Sequence, residues 1–252
     1  MNIADMHVYF RQYAQQMGMQ NVRAIIPEQI DILINTAIVD MVNKIVRDNV
    51  GIRNDRLVKD YSKIGNIDAL RTLSTNIEYE CNNFRNTSNA SISNMDLEFN
   101  HYNPMYILNC DIIYYDKDTN VESLYPIRLI DSYELPTTIN DPILKPKFSS
   151  PIGIFYDNLR GFKLYLPKKD IIEHEREDGD NLLIYGNYVV DVSIQYLSYP
   201  TKVDYASEID CDLPESLHID IIKYAVELYK LSVSKGSYYQ PQSQQPTTAT
   251  NK

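Results

Sequence analysis

The apolar residues of this chain change their spacing twice, and that change limits the possible folds more than any other feature. Before about residue 77 and after residue 200 they recur every three or four positions, as in amphipathic helices. Between these limits they alternate in short bursts rich in Tyr, Ile and Val, with turn-like sequences between the bursts. Few helical stretches separate the bursts, so antiparallel pairing is favoured over a parallel sheet. The pattern predicts an α+β fold in which an antiparallel β-barrel or sandwich is inserted between amino- and carboxy-terminal helices that form a helical layer.

These changes divide the sequence into four parts. We expect an amino-terminal helical part over residues 1–75 and an inserted β-rich domain over residues 76–200. Residues 201–235 are predicted to form a carboxy-terminal helix, with its approach, that packs on the amino-terminal helices. The remaining tail, residues 236–252, is low in complexity and rich in Gln, Ser, Thr and Pro. We expect this tail to be disordered alone, or ordered only against a neighbour.

Helical spacing is clearest near the amino terminus. It predicts a helix over residues 2–17, which Gly18 would stop, and a stronger helix that begins at Pro27. The apolar arc of the second helix is wider than one packing face needs, so we expect it to be covered on more than one side. Shorter helices are predicted over residues 54–62 and 67–74.

A proline-stopped strand followed by a strongly apolar helix occurs near the end of the chain. Pro200 ends the last predicted strand. Pro214 and Glu215, after Asp212, mark the helix start, because proline suits the first turn and carboxylates favour the positive end of the helix dipole. The charged residues of this helix fall on one stripe: Asp220, Lys223, Glu227 and Lys230. The helix therefore packs either on its own domain and on a further partner, or wholly within its own chain.

Composition and charge exclude several classes of protein. The chain is 44% hydrophobic and 23% charged, as globular soluble proteins are, and no run of about 18 apolar residues could span a membrane. Its amino terminus lacks the pattern of a secretory signal, so we expect synthesis and retention in the cytoplasm. The net charge of −10 opposes tight binding to a phosphate backbone.

Motifs that carry chemistry are missing. The sequence has no phosphate-binding glycine loop and no nucleophile elbow. The acidic stretch His174–Asp180 is interpreted as a charged hairpin loop, with a weak divalent-cation site as the alternative. Cys81, Cys110 and Cys211 show no CxxC pairing, so we expect buried, reduced thiols. We predict no catalytic residues, no metal site and no cofactor, and therefore a protein that is not an enzyme.

Two other functions stay open from the residues. The 21 tyrosines, many of them in the β-rich region, could stack on sugars in an adhesin-like carbohydrate-binding module, although packing in a core or an interface is favoured. A metal-dependent hydrolase centred on the stretch His174–Asp180 is the second alternative. Loss of metal and activity on replacing Glu175 and Asp178 by alanine would identify it.

Two segments carry a resemblance to a known family. IPEQIDILINTAIVDMVNKIV, near the start, and YPTKVDYASEIDCDLPESLHIDIIKYAVELY, near the end, are similar to structural proteins of crAss-like tailed bacteriophages. The resemblance covers both ends well and the middle loosely. Its most distinctive part is the pattern CxLPExxHxxIIxxAVxLY, here formed by Cys211, Leu213, Pro214, Glu215, His218, Ile221, Ile222, Ala225, Val226, Leu228 and Tyr229.

The resemblance implies a virion protein of the head-to-tail connector: a ring protein, or portal adaptor, made in the cytoplasm of the host bacterium. It implies a homo-oligomeric ring of about twelve copies that contacts the portal protein and adjacent ring or tail proteins. Genomic DNA would pass through the channel without sequence-specific binding, and no membrane is involved. Contacts between copies would need apolar helix faces, for which the candidates are Ile30, Ile34, Met41, Leu217, Ile221, Ala225, Leu228 and Tyr229.

Overall fold

The chain folds into two compact units. The structure is a computed structural model that describes residues 1–19, 25–49, 52–53, 56–57, 67–80, 84–86, 92–98, 103–156, 159, 161–168, 171–175 and 181–237. The helical unit comprises residues 1–47 together with residues from 200 onward, and the β unit comprises residues 48–199. The first boundary thus falls at residue 48, whereas the spacing of apolar residues suggested residue 76. The predicted low-complexity tail lies outside the described residues from position 238 onward.

Three long helices build the helical unit: α1 (Ile3–Gln16), α2 (Pro27–Asn49) and α4 (Glu215–Ser237). The helix predicted over 2–17, its stop at Gly18 and the helix start at Pro27 agree with the structure to within one residue. Asn2 caps α1 by accepting a hydrogen bond from the Asp5 amide at 2.7 Å. Gly18 follows the last turn with φ of 81°, a conformation that glycine adopts without steric cost. Apolar side chains of all three helices form the core of this unit, and α4 packs on α1 through an edge-to-face contact of Tyr229 with Phe10.

The two shorter predicted helices differ from the structure. Residues 56–57 are a strand, β2 (Arg56–Leu57), paired with β1 (Ile52–Arg53), so the helix predicted over 54–62 is wrong there, and its other residues lie outside the described ones. The second segment forms a single 3-10 helix, Asp68–Leu73, before β3 (Ser74–Glu80) begins. Leu70 and Leu73 are both buried, and their spacing of three residues suits the three-residue turn of a 3-10 helix.

The β unit contains two mainly antiparallel sheets. The six-stranded sheet has the strand order β11-β12-β13-β6-β7, and β3 also pairs with β13. Besides β3, its strands are β6 (Pro104–Asp116), β7 (Glu122–Pro126), β11 (Ile171–Glu175), β12 (Asn181–Tyr185) and β13 (Tyr188–Ser198). The five-stranded sheet has the order β4-β5-β10-β9-β8, with β4 (Phe84–Asn86), β5 (Ile92–Glu98), β8 (Arg128–Leu129), β9 (Ile152–Tyr156) and β10 (Gly161–Pro167). Only β8 and β9 pair in parallel among the described strands. The expected α+β architecture is confirmed.

One apolar core joins the two sheets face to face. Alternate residues of β6 and β13, such as Ile112 and Val192, meet residues of β5 and β10, such as Leu97 and Leu164. A second, smaller cluster lies on the outer side of the five-stranded sheet, where the short helix α3 (Leu135–Asn140) covers it. The β unit is therefore a sandwich with one sheet face covered by a helical segment.

Candidate functional site

The candidate site is the segment between β13 and α4, residues 200–213, which we call the connecting segment. It leaves the β unit in extended form and is held by polar side chains of α2. Asn35 binds both backbone groups of Val203: its Nδ2 donates to the carbonyl oxygen at 3.0 Å and its Oδ1 accepts from the amide at 2.9 Å. Asp31, one turn earlier, accepts the Tyr205 amide at 3.1 Å. Positions four apart on a helix share a face, and positions two apart on an extended chain share a side, so the two contacts match.

A buried histidine joins the same cluster from α1. His7 Nε2 lies 2.7 Å from Asp31 Oδ1, and both side chains are removed from solvent. The Tyr205 ring stacks on the His7 ring with centroids 4.7 Å apart and an angle of 25° between the planes. Asp31 thus accepts hydrogen bonds from two elements at once, which ties α1 to the connecting segment.

A tight hairpin forms the middle of the connecting segment. Asp204 and Ile209 exchange backbone hydrogen bonds of 3.2 and 2.9 Å. The Asp204 carboxylate accepts the Ser207 and Ala206 amides, and these hydrogen bonds lower the pKa of Asp204 from its ordinary value. Glu208 closes the turn with φ of 55°, in the left-handed region. The hairpin is therefore held by its own side chains and presents Tyr205 toward α1.

The four predicted junction residues are brought together at the start of α4. Pro200 follows β13 directly, and Asp212 reaches back to accept the Thr201 amide at 2.9 Å. Pro214 precedes the helix, and its carbonyl oxygen accepts the Leu217 amide at 2.9 Å. The predicted end of the strand and start of the helix are both confirmed.

The amino terminus binds the same junction. Glu215, the first residue of α4, pairs with the amino group of Met1, and this hydrogen bond lowers the pKa of Glu215. Asp210 accepts the Ile3 amide at 2.7 Å. The connecting segment is consequently bonded to the start of α1 as well as to α2.

The eight predicted interface residues divide into two groups. Four are fully buried within a single chain: Ile30, Ile34, Ile221 and Ala225. The alternative of helices that pack within their own chain accounts for these four. The other four are half-buried: Met41, Leu217, Leu228 and Tyr229. Contact of the eight residues with a second copy stays a prediction. Only the half-buried four have accessible surface with which to make such a contact.

The stripe predicted on α4 is exposed, but it is not wholly polar. Its four charged residues are exposed, and Lys223 lies 5.8 Å from the Tyr13 ring centroid. Exposed apolar residues of α4 stand beside them: Ile219, Leu231 and Val233. The sequence pattern assigned two of them, Leu231 and Val233, to the apolar side of the helix.

The groups able to carry chemistry are mostly buried. His218 Nε2 donates to the Leu213 carbonyl oxygen at 2.8 Å, and His218 lies inside the helical unit. Cys110 is buried and Cys211 half-buried; both are free thiols, and burial raises the pKa of each. Cys81 lies outside the described residues, as do residues 176–180 of the acidic stretch, whose first residues belong to β11. Within the described part of the chain, no three His, Cys, Asp or Glu side chains are placed to hold a metal ion.

The largest group of tyrosines lies in the core of the β sandwich. Tyr114 and Tyr185 are fully buried, and the Tyr114 ring stacks on Phe148 with centroids 4.0 Å apart. Tyr188 and Tyr125 contact the same Phe148 ring from other sides. These rings pack the interior, which accounts for them without a bound sugar.

Sequence reasoning missed His7, Asp31 and Asn35. The available signal was the pair Asp31 and Asn35, four residues apart, within the otherwise apolar arc of α2. Polar residues at such positions need hydrogen-bond partners, and that need points to an extended segment docked on the helix.

Comparison with known proteins identifies no family. No protein-family model matches the sequence, and a search of curated proteins found no match. No helix in the described ranges combines the length and the apolar character that crossing a bilayer requires.

Proposed function

We propose that this chain is a structural virion protein, a subunit of an oligomeric ring in the head-to-tail connector of a crAss-like tailed bacteriophage. The proposal begins with the resemblance of residues 211–229 to that family. The observation that carries it is the position of this pattern in the fold. Most of its apolar residues and its histidine are buried in the helical unit, Leu228 and Tyr229 are half-buried, and its first residues belong to the bonded junction. The pattern thus describes a way of packing, as expected for a structural protein, rather than a reactive site.

A ring requires two different surfaces on one chain, because each copy presents one surface to the next copy and a second surface to the previous one. Both units have exposed apolar side chains with which such contacts can be made. In the helical unit they include Val8, Ile32 and Leu231, and in the β unit Leu124 and Ile143. Single exposed apolar residues are common on protein surfaces. These residues are therefore compatible with assembly but do not require it.

Charge supports the passage of DNA through such a ring. The chain has 34 acidic residues against 24 basic ones, and like charges repel a phosphate backbone. A channel built from this protein would let genomic DNA slide without holding it in a sequence-specific manner. The proposed partners are the portal protein and the adjacent ring or tail proteins, with about twelve copies in the ring.

The test is to locate the chain in the purified particle. An epitope inserted after Lys252 should be labelled by antibody at the head-to-tail vertex, and cryo-electron microscopy should place about twelve copies around the channel. Particles without the epitope provide the control for the label. Labelling elsewhere, or virions that lack the chain, would refute the proposed function.

A further inference from the structure

A loop after α3 exposes two apolar residues next to two lysines. We call residues 141–147 the basic loop. Ile143 is 74% exposed and Leu144 is 44% exposed, while Lys145 and Lys147 also lie on the surface. Such a combination favours contact with an apolar surface that has acidic surroundings.

The basic loop is held in one conformation by hydrogen bonds. Asp141 Oδ1 accepts the amides of Ile143 at 2.7 Å and Leu144 at 3.2 Å, and the Asp141 carbonyl oxygen accepts the Lys145 amide at 2.9 Å. The Arg128 guanidinium donates to the Leu144 carbonyl oxygen. A loop that is already ordered loses little conformational entropy when it binds.

A second apolar surface lies at the β7 edge of the six-stranded sheet. Its four residues, which we call the edge patch, are Ile113, Tyr115, Leu124 and Val189. Ile113 pairs with Leu124, and Tyr115 pairs with Val189, so all four lie on the outer face near one another. Leu124 is 58% exposed and Tyr115 is 41% exposed. β7 pairs with β6 and ends the strand order of this sheet.

The surroundings of the edge patch are acidic. Asp111, Asp191 and Glu122 lie on the same outer face as the patch, because they alternate with the inward residues of their strands. Strands β3, β6, β7 and β13 contain no Lys or Arg. Lys117, in the turn that follows β6, lies between Asp116 and Asp118 in the sequence. The edge patch thus has the charge opposite to that of the basic loop.

We propose that the basic loop of one copy docks on the edge patch of the next copy, and that this contact repeats around the ring. The inference rests on the proposed function and assigns the surfaces of its subunit contact. Both surfaces belong to the β unit and each includes exposed apolar residues in the single chain, so neither is covered by the other within one copy. Two different complementary surfaces make a heterologous contact, which is the kind that generates rings. Because the surfaces have opposite charges, the occupant that fits each is a second copy of this chain.

Variants of the full chain test the contact. A loop variant combines Ile143→Ser with Lys145→Glu, and a patch variant combines Leu124→Lys with Glu122→Lys. Each should weaken self-association at least about tenfold in sedimentation velocity, because each removes an apolar contact and reverses a charge. Tyr133→Ser is the control, since Tyr133 is 75% exposed in the same unit but lies outside both surfaces. Circular dichroism should show the wild-type fold for all three variants.

Mixing the two variants gives a sharper result. The loop variant keeps an intact edge patch and the patch variant keeps an intact basic loop, so the mixture has one working contact per pair. It should form 1:1 dimers and nothing larger, while the wild-type chain forms higher oligomers.

Each remaining outcome overturns the inference. If both folded variants assemble as the wild-type chain does, other surfaces make the contact, and the proposed ring still stands. If the wild-type chain stays monomeric at the highest attainable concentration, the inference fails, and antibody labelling of the particle decides the proposed function separately. A mixture that restores full-size rings would equally contradict the assignment.

Discussion

Replacing Asp31 by alanine should destabilise the helical unit and free the connecting segment. Asp31 accepts hydrogen bonds from two elements, His7 of α1 and the Tyr205 amide. Alanine removes both acceptors and leaves the buried His7 ring and the partly buried Tyr205 amide without these partners. The effect should therefore exceed that of removing one surface contact.

The magnitude follows from counting the groups that lose a partner. A buried donor left without an acceptor costs about 1–3 kcal/mol, so the His7 ring costs about that much and the partly buried Tyr205 amide adds a smaller amount. Asp31→Asn keeps one side-chain oxygen and the same shape, so it should cost about half as much or less. Native domains have total stabilities of about 5–15 kcal/mol, so Asp31→Ala should remove a large fraction of that total.

Two measurements separate the local effect from the global one. Urea unfolding followed by circular dichroism at 222 nm reports the helices and gives the change in free energy of unfolding. Hydrogen exchange of peptides from residues 200–213 reports the connecting segment itself. Glu28→Gln, in the exposed first turn of α2, serves as the control and should cost a few tenths of a kcal/mol.

This prediction is refuted if the Asp31→Ala protein is as stable as the Glu28→Gln control. It would equally fail if exchange in residues 200–213 stayed slow in the alanine variant. Either result would mean that the connecting segment is held by contacts other than the cluster of His7, Asp31 and Tyr205.

Three further predictions concern other parts of the chain. Gly153→Ala should cost about 1–3 kcal/mol in thermal unfolding of the β unit, because the added Cβ would lie 2.5 Å from the Phe162 ring. The pKa of Asp204 is lowered in the fold, so its stabilisation of the hairpin is present at neutral pH and is lost as the pH falls below about 4. The Ser207 amide shift in an NMR titration should show this step, and Asp204→Asn should abolish it. Ala225→Glu should abolish the helical signal in circular dichroism, because it buries an unpaired charge in the core; a normally folded variant would contradict this placement.

Long periodic segments were predictable from the sequence, whereas short ones were not. α1, α2 and α4 each repeat their apolar spacing over several turns, and the strands of the sandwich alternate over enough residues to identify them. α3 has six residues, too few to establish a period, and its stability comes from packing on the five-stranded sheet. The boundary at residue 48 was not predictable either, because tertiary contacts set it and no local spacing of apolar residues marks it.

The candidate site was predictable at its ends and not in its middle. Pro200, Pro214 and Glu215 carry backbone and dipole preferences that act locally, so they mark the junction in the sequence itself. His7 and Asp31 meet across 24 positions of sequence, and only the packing of α1 on α2 brings them together. Local preferences contain no information about such a pair.

The polar residues of α2 explain how an extended segment can leave a sheet and enter a helix without a partner strand. Extended backbone needs partners for its amide and carbonyl groups, which a sheet would normally supply. Here side chains take that role: Asn35 binds both backbone groups of Val203 as a neighbouring strand would, Asp31 binds the Tyr205 amide, and Asp212 binds the Thr201 amide. Because each of these hydrogen bonds is made by a side chain, a single substitution removes it. A hydrogen bond between the backbones of two strands would survive such a substitution. The abrupt passage from strand to helix therefore depends on a few polar side chains, and the apolar arc of α2 contains two of them because the connecting segment lies there.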